Sequence, residues 1–362
     1  MKYYVDKEIR PVYLELYRRL RDDIVGGLYS YGEKLPSKRS LAEAVGVSTV
    51  TVEHAYALLC EEGYAEGRAR SGYLVTFRKT DGFASAARPE HIARHADRVA
   101  PPTPEFPLSL LSKTMRRVLS EQGEFLLEKS PNRGLPELRT AISRYLARNR
   151  GIRATPEQIV IGAGSEYLYG LIIELLGRER VYAIESPSYR KIEEVYRAAE
   201  LAYECLPLTP TGIDSDALTA ASASVLHTTP YRSYPSGVTA TASKRHEYVR
   251  WAGEGDRYII EDDYESEFSV SSKPTETLFS LSPRENVIYL NTFSRTVSPS
   301  LRVGYMVLPP PLVRPYCERL GFYSCTVPTF MQYVLAELLE HGDFERHINR
   351  VRRRVRRELF GQ

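Results

Sequence analysis

The sequence predicts two domains of different class: a small helical domain closed by a two-stranded hairpin, then a larger α/β domain built on a mostly parallel sheet. Three observations predict this. The chain has 362 residues, more than one hydrophobic core usually organises. Residues 1–78 show three helical patterns separated by glycines and end in two short β-prone runs. From residue 109 onward, short apolar runs alternate with helical patterns, the signature of a doubly wound sheet.

In the first domain, Tyr13, Tyr17, Leu20 and Ile24 recur at helical spacing and define an amphipathic helix that Gly26 and Gly27 end. Pro36-Ser37 opens a short second helix through Leu41, Ala42 and Val45, which Gly46 stops. Ser48 suits the N-cap of a third helix, because its hydroxyl can accept a free first-turn amide. Val52, Ala55, Tyr56 and Leu59 share that helix's buried face, and Glu61-Glu62-Gly63 closes it. Residues 64–67 and 72–75 flank a basic turn and suit a two-stranded wing.

Residues 79–108 lack periodicity and are rich in Ala, Arg and Pro, so they read as a linker, semi-rigid where prolines cluster. In the second domain, residues 109–362, the strands are expected at 158–161, 181–184, 224–227, 258–260 and 287–290. Ligands of such sheets bind beyond the carboxyl ends of the strands, so the loops that follow them are the candidate site.

Composition narrows the function. Hydrophobic residues at 43% and charged residues at 26% suit a soluble globular chain. The net charge of +3 gives no overall basic field, so nucleic-acid contact would need a local surface. Cys60, Cys205, Cys317 and Cys325 lie far apart; neither a disulfide framework nor a metal site is expected, and all four read as small buried thiols in a reducing cytoplasm. The N-terminus has no apolar signal core. The most apolar stretch, residues 168–176, is interrupted by Glu174 and is too short to span a bilayer. A cytoplasmic location follows.

The order helix, short helix, Gly46, Ser48-capped helix and basic wing is a winged helix-turn-helix pattern. With Val52, Ala55 and Leu59 inside, the third helix exposes Thr49, Val50, Thr51, Glu53 and His54 to base edges. Amides at Ser48 suit a phosphate, Lys38 and Arg39 the DNA backbone, and Arg68 and Arg70 a wing-tip contact to phosphate or minor groove. Residues 1–78 hold 12 Lys/Arg against 11 Asp/Glu, so the order of motifs, not charge, carries this reading. The pattern LPSxRxLA…GVSxxTVxxAYxxLxxEGY resembles the GntR family of winged-helix regulators across the whole domain. The family often has Arg after the capping serine; Thr49 stands there.

Five strand-end motifs follow in order: Gly162-Ala163-Gly164-Ser165, Glu185-Ser186-Pro187-Ser188-Tyr189, the turn from Thr229 through Tyr234 to Gly237, Glu261-Asp262-Asp263-Tyr264, and Asn291-Thr292-Phe293-Ser294-Arg295-Thr296, with Arg302-Val303-Gly304-Tyr305 after the last. Together they resemble fold-type I aminotransferases, and with the first domain they resemble the MocR/GabR subfamily of GntR regulators. SPNRGLPELRTAISRYLARNRGI also matches that subfamily.

The resemblance implies a pyridoxal-phosphate pocket. Gly164 and Ser165 would give amides to the phosphate, with Thr292, Ser294 and Arg302 completing its site. Tyr189 would stack on the pyridine ring, Tyr234 would line the same pocket, Asp262 would pair with the ring nitrogen, and Tyr264 would bond the phenolic oxygen. It also implies a homodimer.

Three departures follow. The family lysine that binds the cofactor covalently is Arg295, and a guanidinium is always protonated and a poor nucleophile, so no catalytic residue is assigned. The usual glutamine of the strand-end turn is Ser233. The last helix carries an apolar stripe, Ile348, Val351, Val355 and Leu359, expected to lack its partner because the family's C-terminal small domain does not follow. Its basic run, 350–357, reads as a solvated face. The expected function is a DNA-binding regulator whose degenerate aminotransferase-like domain senses pyridoxal phosphate or an amino-acid adduct noncovalently and weakly, if at all. The alternatives are a working transaminase with an accessory DNA-binding domain and a truncated, non-functional product.

Overall fold

The computed structural model describes residues 11–68, 72–77, 106–264, 266–268 and 276–360. The chain divides into two compact units, Met1–Arg88 with Ala240–Glu247, and Pro89–Thr239 with Tyr248–Gln362.

The first unit holds α1 (Val12–Gly26), α2 (Lys38–Val45), α3 (Thr49–Glu61) and the hairpin of β1 (Ala65–Arg68) and β2 (Gly72–Val75). The sequence signals act locally as physics requires. Gly27 takes a left-handed φ of 89° past α1, and Gly46 a φ of 71° past α2. Ser37 caps α2 by accepting the Ser40 amide, and Ser48 caps α3 by accepting the Thr51 amide. Leu16, Leu20, Leu41, Val52, Ala55, Tyr56 and Leu59 form the core between the three helices. The wing is antiparallel, with Ala65 opposite Val75, and begins one residue later than the sequence predicts, because Tyr64 turns into the core. The stretch Ala240–Glu247 completes this unit: Ala242 joins its core, and Arg245 is buried against the Glu62 carboxylate while donating to the Ala240 carbonyl at 2.8 Å.

The second unit is built on an eight-stranded sheet. In chain order its strands are β3 (Ile159–Gly162), β4 (Tyr182–Ser186), β5 (Tyr203–Thr209), β6 (Gly212–Ile213), β7 (Val225–Thr228), β8 (Tyr258–Asp262), β9 (Val287–Thr292) and β10 (Gly304–Val307). Their spatial order is β3-β10-β9-β8-β7-β4-β5-β6. Strands β9, β8, β7, β4 and β5 run parallel, while β10 is antiparallel to both its neighbours and β6 to β5. The five expected strands are present; β5, β6 and β10 were not anticipated.

The remaining helices are α4 (Leu108–Gln122), α5 (Pro136–Asn149), α6 (Ser165–Leu176), α7 (Arg190–Ala198), α8 (Ser215–Ala220), α9 (Ala242–Ala252), of which residues up to Glu247 belong to the first unit, α10 (Leu278–Leu281), α11 (Pro310–Leu320), α12 (Thr329–Glu340) and α13 (Asp343–Phe360). Alternation along the strands feeds two cores, one on each face. Ile159, Ile161, Tyr289, Tyr305 and Val307 face α5, α12 and α13, whereas Val160, Ile288, Leu290 and Met306 face α6 and α11. Of the segment read as a linker, residues 79–105 lie outside the described residues; Phe106 is buried in the second unit's core and Leu108 starts α4.

Two expectations are corrected here. The stripe of α13 is covered: Ile348 and Val351 are buried in the core and Val355 packs against it, while the Leu359 side chain lies outside the described residues. None of the four thiols is fully buried: Cys205 and Cys317 are exposed, because they fall on the outward faces of β5 and α11, and Cys60 and Cys325 are half-buried. No helix among the described residues is long and apolar enough to cross a membrane.

Candidate DNA-reading face and effector pocket

The turn from Gly46 to Ser48 sets the start of α3. Ser48 Oγ accepts the Thr51 amide at 3.1 Å and lies 2.8 Å from Thr51 Oγ1, so Ser48 and Thr51 are occupied with each other. Thr49 is exposed, as is Val50 at 57%. Arg39 is exposed at the start of α2. Lys38 and Glu53, read separately as backbone and base-edge contacts, form one ion pair at 2.9 Å that ties α2 to α3. His54 packs edge-on against Tyr13, ring centroids 5.5 Å apart. Arg68 lies at the end of β1, 3.4 Å from Glu66 on the same strand; Arg70 lies outside the described residues.

In the second unit the sheet order reverses between β4 and β7, and the carboxyl ends of β4, β7 and β8 meet there. Contacts gather most of the site residues predicted from sequence into small groups. Gly164 caps α6 with φ 89°, and a Cβ built on it would lie 2.8 Å from Arg302 Nη2. Glu166, beside Ser165, pairs with both Arg302 and Lys191. Tyr189, next to α7, meets Tyr234 edge-on at 6.0 Å. Tyr264 donates to the Arg232 carbonyl at 3.2 Å, in the same turn as Tyr234. Thr292 Oγ1 lies 3.0 Å from Ser294 Oγ and 3.1 Å from the Val303 carbonyl, which brings β9's end to the residue beside Arg302. Gly304, read as part of a loop, opens β10. Arg295 is half-buried in the turn after β9.

Asp262 is buried at the end of β8 and accepts from the Tyr169 hydroxyl. His227 Nε2 stands 3.8 Å from the same carboxylate, and its Nδ1 is 2.7 Å from Tyr196 Oη. The candidate site around Asp262 thus includes Tyr169, His227 and Tyr196, which the sequence reading missed. Tyr169 lies one helical turn past Ser165, so its position on α6 was the available signal. Glu185 was also missed, although it opens a quoted motif. It is buried and accepts from Thr228 Oγ1 and Ser233 Oγ at 2.5 Å each and from the Thr229 amide at 3.0 Å. Burial raises its carboxyl to about 7 against the pull of these hydrogen bonds.

Across β8, Asp263 takes the opposite face. It pairs with buried Arg150 at 2.5 Å and accepts from Tyr289 Oη at 2.7 Å. Glu267 accepts from Asn291 Nδ2 at 2.7 Å, and its carboxyl is raised to about 7, by burial first and then by Asp263. Consecutive residues on a strand point to opposite faces, so Asp262 and Asp263 serve separate networks.

Comparison with known proteins settles the family. Residues 12–75 match the bacterial regulatory proteins of the gntR family, and residues 107–359 match aminotransferase class I and II. The chain belongs to the MocR-like subfamily of GntR regulators. It is 33% identical to the HTH-type transcriptional regulator YdeL of Bacillus subtilis, over 96% of this chain and 77% of that one. It is 30% identical to the probable rhizopine catabolism regulatory protein MocR of Rhizobium meliloti, over 95% of this chain and 74% of that one. Among solved structures it resembles the α-aminoadipate aminotransferase LysN of Thermus thermophilus, with a TM-score of 0.60 and 27% identity over 68% of this chain and 64% of that one. The kynurenine aminotransferase of Pyrococcus horikoshii gives 0.63 and 25% over 69% and 65%. The MocR-like chain is a DNA-binding transcriptional regulator with an aminotransferase-like domain.

Aminotransferases of this fold use pyridoxal phosphate. The residues here do not fit its covalently bound form: Arg295 stands where the resemblance places the lysine, and the guanidinium neither gives up its proton nor attacks an aldehyde.

Proposed function

We propose that this regulator reads operator DNA with the first turn of α3, supported by Arg39 and the wing, and that its second domain is a receptor for a pyridoxal-phosphate-type or amino-acid-derived effector held without a covalent bond. The observation that carries the first half is the Ser48-capped start of α3, which presents Thr49 and Val50 to solvent beside Arg39. The observation that supports the second is the set of strand-end residues, with buried Asp262 and the Tyr189–Tyr234 pair, in a chain with Arg295 at the position where the resemblance places the anchoring lysine. The protein acts in the cytoplasm as a homodimer on repeated half-sites.

Footprinting the full chain on the DNA upstream of its own gene tests the first half. Protection of a repeated site, lost in Arg39→Ala and Thr49→Ala, is expected; equal binding by both variants rejects this face. Absorbance of the purified protein tests the second half. The visible band of a Schiff-base-linked cofactor would reject noncovalent binding.

A further inference from the structure

At the start of α6 the Glu166 carboxylate pairs with Arg302, which the resemblance assigns to a phosphate. Glu166 is the second residue of α6 and lies in its first turn. Its Oε1 accepts from Lys191 Nζ at 2.7 Å, its Oε2 pairs with Arg302 Nη2, and the carboxylate also accepts its own backbone amide. Arg302 holds a left-handed φ of 49°, and its guanidinium lies against the backbone of Gly164. A helix-start amide, a guanidinium and an ammonium are the donors a phosphate monoester would use. Here all three converge on one side-chain anion. Burial would raise the Glu166 carboxyl, but the hydrogen bonds from Lys191, Arg302 and the amide outweigh it and hold it at about 2. At neutral pH the group is fully charged.

We propose that Glu166 is a built-in surrogate for a phosphate group, closing this helix start to phosphate-bearing ligands until they displace it. The inference rests on the reading of this pocket as an effector site. A phosphate monoester brings nearly two negative charges. Beside an ionised carboxylate that already compensates Arg302, it meets like charge rather than an open cationic site. Glutamine keeps the shape of Glu166 and removes the charge, leaving Arg302 and Lys191 uncompensated.

The test is calorimetric titration of the full chain, E166Q and E166A with pyridoxal phosphate and, separately, with pyridoxal, after thermal melts confirm that each variant is folded. Both variants are expected to bind pyridoxal phosphate about tenfold more tightly than the parent chain. Inorganic phosphate should compete for this binding, and pyridoxal affinity should not change. Equal affinity for pyridoxal phosphate in parent and variants, including none in any of them, overturns the proposal. So does an equal gain for pyridoxal, which would have nothing to do with phosphate. Tight binding by the parent chain without gain in the variants would leave the effector pocket standing and remove the surrogate.

Discussion

Arg295 decides what the turn after β9 can do, because an amine there would attack an aldehyde and a guanidinium does not. Arg295→Lys, incubated with saturating pyridoxal phosphate and reduced with borohydride, is expected to carry the cofactor at residue 295 by mass spectrometry. The parent chain is expected to carry none there. Buried carboxylates supply a second prediction. Glu185, Glu261 and Glu267 are each raised from 4.5 to about 7, burial being the largest cause in every case. The folded state therefore holds protons that the unfolded chain has released. Their contribution to stability is complete below pH 4.5 and is lost as pH rises through about 7. Melting temperature should fall across that window, and Glu267→Gln should flatten the fall; an unchanged slope would count against Glu267 as a source. At this scale the sequence was uneven. Ser48, Gly46 and Arg295 were legible because each has a local consequence. Glu185, Tyr169 and His227 were not, because their roles arise where separate strands and helices meet.

Helix ends and strand edges define the next scale. The Ser48 cap satisfies an amide that α3 would otherwise leave open, so Ser48→Ala should cost about 1 kcal/mol of stability in the first unit and weaken DNA binding with it. Calorimetry of the full chain, read at the transition of the first unit, checks this. The pair between Arg245 and Glu62 is buried on both sides, so Arg245→Ala leaves an uncompensated carboxylate and should cost about 3–5 kcal/mol in that unit. A loss below about 1 kcal/mol would show that water or rearrangement replaces the guanidinium. Helices were easier to read than strands. β5 carries Glu204 and Pro207 and alternates between exposed and buried positions, so it offers no continuous apolar run. β6 has only two residues, and β10 opens with Gly304, which reads as a turn until β3 and β9 flank it.

For the whole molecule, charge explains how DNA binding should behave. With a net charge of +3, affinity depends on a few local cations rather than on a global field. Arg39→Ala should therefore weaken binding to all sequences alike and reduce the salt slope by about 1, whereas Thr49→Ala should change the preference between sequences. Binding isotherms at several salt concentrations separate the two. The order of the sheet, with its reversal between β4 and β7, was legible only through the order of motifs, since periodicity alone does not say which strands become neighbours.

Ala240–Glu247 belongs to the first unit although more than 150 residues separate it from Arg88. Ala242 and Arg245 arrive from that stretch. A chimera that transplants residues 1–88 onto another regulator therefore leaves part of its foundation behind. Engineers who want the reader to keep its shape must graft the octapeptide with it, or redesign Glu62 for life in water.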